Sequence, residues 1–335
     1  MNDLVKDIVK SVFSNKDEIL IRNFEFKHNK RNELLFFFKP ECFLVKNADF
    51  TKSIIEMVLN KFRQYDVDIS GVLQMNGKRL EELSIMDRHY GFINKLSRNA
   101  SKMISEEELS KIKESLGIKN LEEYKIFGGH EFLLKYDKFN ERSLDNLWSS
   151  KKAEKLRSGY YVQKYTIDDD NIILIDGFHP SQLRHFTDPS HIIIILLLHS
   201  NTFWKNLKNN FVGNTFPENA ENNSIRSELF KNSKIYGIEE VNITNNCVHL
   251  SAGPFEALFE TDNFLKNIQN IDFYLDKTNM FRLMGERGIR KENIEKCIQN
   301  PIAQINGKPS DLFTLTEDKD SLDAITCYSQ YFIDN

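Results

Sequence analysis

The run Asn246-Cys247-Val248-His249-Leu250-Ser251, followed at residue 260 by a glutamate, carries the most chemistry in this 335-residue chain. A histidine closing an apolar stretch, with an amide three residues before it and a carboxylate within reach after it, has the makings of a positioned nucleophile. Upstream stand Lys39, the pair His89-Tyr90, then Gly213, Thr215, Pro217 and Arg226. These supply the cations and hydroxyls that surround phosphates when a neutral imidazole is aimed at the last of them.

The elements that must hold these residues follow from apolar spacing. Leu4, Ile8, Val9, Val12 and Phe13 form one stripe of a helix, and Ile19 to Phe26 alternates as a short strand. Leu34 to Phe38 is a strand stopped by Lys39-Pro40, which leaves Lys39 at a strand end. Ile54, Ile55, Val58, Leu59 and Phe62 predict a helix begun at Asp49 or Thr51. Val67 to Met75 is a further strand, and Leu80 to Tyr90 reads as one helix.

Between about Ser97 and Gly177 the spacing predicts a helix over Glu106 to Leu116, a Gly128-Gly129 break and a helix through Trp148 and Leu156. The basic run Lys151 to Arg157 reads there as a solvated helix face. Two strands, Tyr160 to Tyr165 and Ile172 to Ile175, flank the turn Asp168-Asp169-Asp170-Asn171. Ile192 to Leu198 and Asn246 to His249 add strands, with a helix near Phe203 to Phe211 between them. Phe264 to Gln304 reads as mostly helical, and Gly307-Lys308-Pro309-Ser310 as a loop. The predicted class is α+β, with helices on one face of a mainly antiparallel sheet.

Composition narrows the function classes. With 45 basic and 49 acidic residues the formal charge is -4, so nucleic acid is not the expected partner. The acidic start Met1-Asn2-Asp3-Leu4 does not read as a secretory signal, and the apolar run Ile192 to Leu198 is far short of the ~20 residues of a membrane span. Cys42, Cys247, Cys297 and Cys327 lack zinc-site pairing, which points to a reducing, cytoplasmic setting. His28, His130, His179, His185, His191 and His199 form no metal-ligand spacing, so no protein-held metal is expected.

Several segments together resemble the nucleoside diphosphate kinase family. They are Leu35 to Glu41, with Lys39-Pro40-Glu41 similar to the family's Lys-Pro-Asp; His89-Tyr90; Phe178-His179-Pro180; Gly213 to Pro217 with Ser224-Ile225-Arg226; Asn246 to Ser251 with Pro254, Ala257 and Glu260; and the tail Asp320 to Asn335. The resemblance implies a ferredoxin-like antiparallel sheet with covering helices, carrying a mixed α/β insertion and a helical insertion. The expected division is an N-terminal extension 1–32, core 33–96, insertion 97–177, core 178–261 with the histidine, helical insertion 262–310 and core tail 311–335.

By the same resemblance His249 would take the γ-phosphate of a nucleoside triphosphate and pass it to a nucleoside diphosphate. Glu260 would orient the imidazole, and Lys39 and Asn246 would reach the ribose hydroxyl region. Arg226 and Thr215 would hold phosphates, Tyr90 would line their site, and Ser251 would support the histidine loop. Phe178 and Ile243 would sandwich the base, and Mg²⁺ would bridge the phosphates. The family assembles into homo-oligomers. Three positions depart from it: Asn209 in place of a second phosphate-gripping arginine, with Lys208 beside it, and Leu250 and Ala252 in the histidine loop. The departures keep open a specialised acceptor, or a nucleotide-binding module whose catalysis has decayed.

Overall fold

Three strands open the chain, β1 (Glu18–Arg22), β2 (Asn32–Phe38) and β3 (Val67–Asn76). Four more follow in its middle, β4 (Tyr124–Gly128), β5 (Glu154–Arg157), β6 (Tyr160–Ile167) and β7 (Asp170–Ile175). The last are β8 (Ile192–Ser200), β9 (Val248–Leu250), β10 (Ile302–Ile305) and β11 (Lys308–Asp311). The computed structural model describes residues 2–26, 29–157 and 159–332, so His28 and the tail residues 333–335 lie outside the described residues. Contacts divide the chain into two units, Met1–Leu83 with Pro189–Asn335, and Ser84–Asp188.

In the first unit the strands lie in the order β1-β3-β8-β2-β9, and each neighbouring pair is antiparallel. Every residue of β2 and β8 is buried. Such unbroken apolar runs leave no polar face for water, so both faces of the sheet need cover. On one face Leu34, Phe36 and Phe38 pack with Val5 and Ile8 of the helix Asn2–Val12 and with Ile54 and Val58 of the helix Ala48–Gln64. On the other, Phe37 meets Phe264 of the helix Pro254–Leu265, with ring centroids 5.5 Å apart. The α+β class is as expected, whereas the expectation of helices on a single face is corrected.

The start of β2 anchors later parts of the chain. The Asn32 amide donates to Asp320 at 2.9 Å and accepts from the Ser321 N–H at 3.0 Å, and the Trp204 N–H donates to Asp320 at 2.8 Å. Next along, the buried Glu33 carboxylate bonds His199 at 3.0 Å and accepts the Asn279 N–H at 3.1 Å. His199 in turn bonds Ser70 at 2.7 Å, at the bulge in β3 between Ile69 and Gly71. Buried polar groups satisfied in this way tie the 262–310 segment and the tail to the sheet.

The second unit has its own sheet, in the order β4-β7-β6-β5, with β4 parallel to β7 and the other pairs antiparallel. The expected turn joins β6 to β7: Ile167 pairs with Asp170 across Asp168 and Asp169, both at positive φ. Two clusters, one around Tyr160, Val162 and Ile175 and one around Phe132, Trp148 and Leu174, form its core.

Several local expectations are corrected. The helix Ala48–Gln64 starts one turn earlier than Thr51, because the Asn47 side chain accepts the N–H groups of Asp49 and Phe50. Leu80 to Tyr90 is two helices, Gly77–Glu82 and Ile85–His89, separated at Ser84, whose φ of 50° breaks the helical path. The basic run over 151–157 ends in the edge strand β5 instead of a helix. There Lys155 and Arg157 lie over Tyr161 and Phe92, and lysine and arginine on an edge strand discourage further pairing. Past the end of the helix Pro254–Leu265, the 262–310 segment has α-helices at Asn279–Glu286 and Lys291–Cys297 with a short 3-10 turn at Leu275–Lys277, and it ends in the hairpin β10–β11. Asn306 and Gly307, both at positive φ, make its turn, so Lys308 to Ser310 are strand and not loop.

Candidate functional site

The site begins where β2 stops. Lys39-Pro40 turns the chain into the short helix Pro40–Cys42, and this turn grips the segment that precedes the histidine. The Lys39 N–H donates to the Cys247 carbonyl at 2.8 Å, and the Cys42 thiol donates to the same oxygen at 3.2 Å. The Glu41 carboxylate accepts the Cys247 N–H at 2.8 Å. Cys247 sits at φ 67°, a strained conformation for a residue with a side chain, and these bonds hold it there.

From that kink β9 pairs with β2, placing His249 opposite Phe37. The two rings are stacked, with centroids 4.5 Å apart and planes inclined by 17°. The His249 Nε2 lies 2.7 Å from Oε1 of Glu260, and the other Glu260 oxygen accepts the Ser251 hydroxyl. Ser251 is tied to β2 as well, since the Leu35 N–H donates to its oxygen at 3.1 Å. Glu260 is fully buried, so its charge must be answered by these partners. A carboxylate on Nε2 holds the proton there and puts the imidazole lone pair on Nδ1. Burial, then the charges of Lys39 and Arg226, hold the His249 imidazole well below its ordinary titration range.

Arg226 enters from the short helix Ile225–Lys231, capped by Ser224. Its terminal nitrogens donate to the carbonyls of Gly213 at 2.8 Å and Val248 at 2.9 Å, so it braces the histidine strand against the 213 loop. Its Nε is buried with no partner among the described residues, and burial pulls the guanidinium down to about 10. Gly213 has φ 96°, and a Cβ there would come within 2.4 Å of the Ser224 hydroxyl, so glycine is required. Asn246 donates to the carbonyls of Ile243 at 3.1 Å and Thr215 at 3.3 Å, while its buried Oδ1 has no partner among the described residues. The Lys39 amine, also buried, reaches the Thr244 carbonyl at 3.5 Å, and burial lowers its affinity for the proton.

The structure thus gathers His249, Glu260 and Ser251 into one bonded chain and ties Arg226, Asn246, Lys39 and Thr215 to the loops around it. Thr215 and Ile243 are exposed. Tyr90 and Phe178 belong to the second unit. There the Tyr90 ring lies 6.0 Å from both His179 and Phe186, and Phe178 packs at 6.0 Å from Trp148 and Tyr161. Lys208 does not replace the missing arginine: its amine is held by Glu317 and, at 2.9 Å, by Asp318.

No protein-family model matches this chain, and no curated protein matches it in sequence at a significant level.

Sequence reasoning missed Phe37 and Glu256. Phe37 was hidden inside an apolar run that reads equally well as core. Glu256 lies one turn before Glu260 on the same helix and accepts the Ala252 N–H at 2.7 Å. Burial, followed by the charge of Glu260, pushes its carboxyl up to about 8, so it stays protonated at neutral pH. The i to i+4 spacing of two glutamates was the available signal. Chemically, the assembly offers a neutral imidazole of fixed tautomer with the buried Lys39 and the half-buried Arg226 acting on it, which suits capture of an electrophilic group that carries negative charge.

Proposed function

We propose that this chain is a nucleoside diphosphate kinase-like phosphotransferase that works through a phosphohistidine at His249. The observation that carries the reading is the His249 Nε2 held on the fully buried Glu260, with Ser251 on the other carboxylate oxygen. The sheet supports it: β2, β3, β8 and β9, taken in chain order as first to fourth, lie in the spatial order fourth-first-third-second. With a helix joining the first to the second and another before the fourth, that is the order of a ferredoxin-like sheet.

In the first half-reaction the Nδ1 lone pair attacks the γ-phosphorus of a nucleoside triphosphate. The bond from that phosphorus to the β–γ bridging oxygen breaks, and the nucleoside diphosphate leaves with the electron pair. A second diphosphate then attacks the phosphohistidine and restores the neutral imidazole. Such transfer depends on positioning and on fixed positive charge, which Lys39 and Arg226 supply. Glu260 keeps the Nε2 proton in place while positive charge develops on the ring, and the Asn246 amide, donating to the Thr215 carbonyl, ties the histidine loop to the 213 loop.

The carboxylates of the site are bonded to His249, Ser251 and the Cys247 N–H. Mg²⁺ would enter as an ion carried by the phosphates, neutralising part of their charge. Parallel-line initial-rate kinetics with a nucleoside triphosphate and varied diphosphates test the reading. Intersecting lines, or hydrolysis without exchange, contradict it.

One observation favours a narrower acceptor. Asn209 carries no charge, Lys208 is engaged by Glu317 and Asp318, and the terminal nitrogens of Arg226 already bond carbonyls. The site has fewer cations for a β-phosphate than the resemblance implies, which suits an acceptor recognised by other groups. A phosphoenzyme that forms from ATP but is not discharged by any nucleoside diphosphate distinguishes this reading.

A further inference from the structure

Two contacts act on the His249 ring from different directions within the first unit. Glu260 holds one edge at Nε2, and Phe37 covers one face at 4.5 Å and 17°. The torsion next to an imidazole ring is intrinsically broad and roughly two-fold. A stacked ring removes that freedom. Phe37 is itself immobilised: it is fully buried, sits opposite His249 in the ladder, and is backed by Phe264 at 5.5 Å. Phe264 lies four residues after Glu260, so one helix face supplies both the carboxylate at the edge and the support behind the stack.

We infer that Phe37 is a positioning residue for His249, fixing the plane of the imidazole so that its Nδ1 lone pair keeps one direction. The inference rests on the reading of His249 as the phosphoryl carrier. Hydrophobic burial alone does not require an aromatic ring at this position, since Leu34 and Leu35 fill neighbouring places in the same buried strand. What a flat ring adds over a branched aliphatic one is an orientation, and in-line attack on phosphorus depends on orientation.

The test compares the intact protein with Phe37→Leu, which keeps apolar bulk without a plane, and Phe37→Tyr, which keeps the plane. Nitrogen NMR of ¹⁵N-histidine-labelled protein reads the tautomer and titration of His249, while rapid mixing with Mg-ATP reads its phosphorylation. In Phe37→Leu the expected result is a mixed tautomer, titration shifted back toward the ordinary histidine range, and a phosphorylation rate lower by roughly 10-fold at unchanged KM. Phe37→Tyr restores both. A Phe37→Leu protein with a lower melting temperature but wild-type tautomer, titration and rate overturns the inference. If that variant does not fold, Phe264→Leu, which removes the backing ring, gives the same pattern at smaller size, or its absence. If the wild type forms no phosphohistidine, the proposed function fails, and the NMR comparison alone still decides whether Phe37 fixes the ring.

Discussion

The imidazole of His249 is useful only if it is neutral and aimed, and its neighbours see to both. Burial together with Lys39 and Arg226 lowers its proton affinity, so the neutral form persists below the usual histidine range. Phosphorylation by Mg-ATP is therefore expected to stay level from pH 7.5 down through 6.5. A stopped-flow pH series checks this, and a rate that halves near pH 6.5 contradicts it. Glu260 fixes the proton on Nε2, so Glu260→Gln should slow phosphorylation by roughly 10- to 100-fold with little change in KM. Single-turnover kinetics against ATP concentration measure both quantities.

At the scale of elements, the decisive part is the junction between the end of β2 and the start of β9. Glu41 accepts the N–H of Cys247 at its strained φ, and this bond holds the turn that leads into the histidine strand. Glu41→Ala removes a buried charged acceptor and should cost about 1.5–3 kcal/mol, read from urea denaturation of the whole chain. Much of this was legible beforehand. The strand ending at Lys39-Pro40, the apolar run of β8 and the order of the polar residues after it all appear in the fold, because period and proline placement act locally. The opposite face of the sheet was not legible, since an unbroken run such as Ile192 to Leu198 says that both faces are covered without saying by what. The break at Ser84 and the strand at Glu154 escaped for a different reason: one residue at positive φ and a short strand paired to its immediate neighbour leave the apolar spacing around them still readable as helix. Phe37 illustrates the limit within the candidate site, where one apolar letter serves equally as core and as the ring stacked on His249.

At the scale of the whole molecule the chain is two units with separate cores, and among the described residues no helix is long and apolar enough to cross a membrane. The second unit carries its own titration chemistry. Burial, with Arg98 nearby, lowers His179 to about 4 and His130 to about 3. Both folded values lie below the unfolded one, so the stability they confer is full above about pH 6.5 and lost as pH falls toward the folded values. The fully buried His179 contributes about 1.4 kcal/mol per pH unit over that window, and the half-exposed His130 contributes less because solvent screens it. Asp176 works in the other sense. Burial raises its carboxyl well above the usual range, so its contribution is full below about pH 4 and lost as pH rises through its folded value. Asp176→Asn should therefore raise the melting temperature of this unit at pH 7, and in that variant, with the opposing carboxyl removed, acidification from pH 6.5 to 4 should lower it. Hydrogen exchange resolved to residues 84–188 separates its unfolding from that of the first unit.

The central claim is that His249 carries a phosphoryl group, and intact-mass measurement after incubation with Mg-ATP tests it most directly. The account predicts an added phosphoryl mass that is acid-labile, absent from His249→Ala and removed by an acceptor. An unmodified mass for the wild type, or an equal gain in His249→Ala, contradicts it.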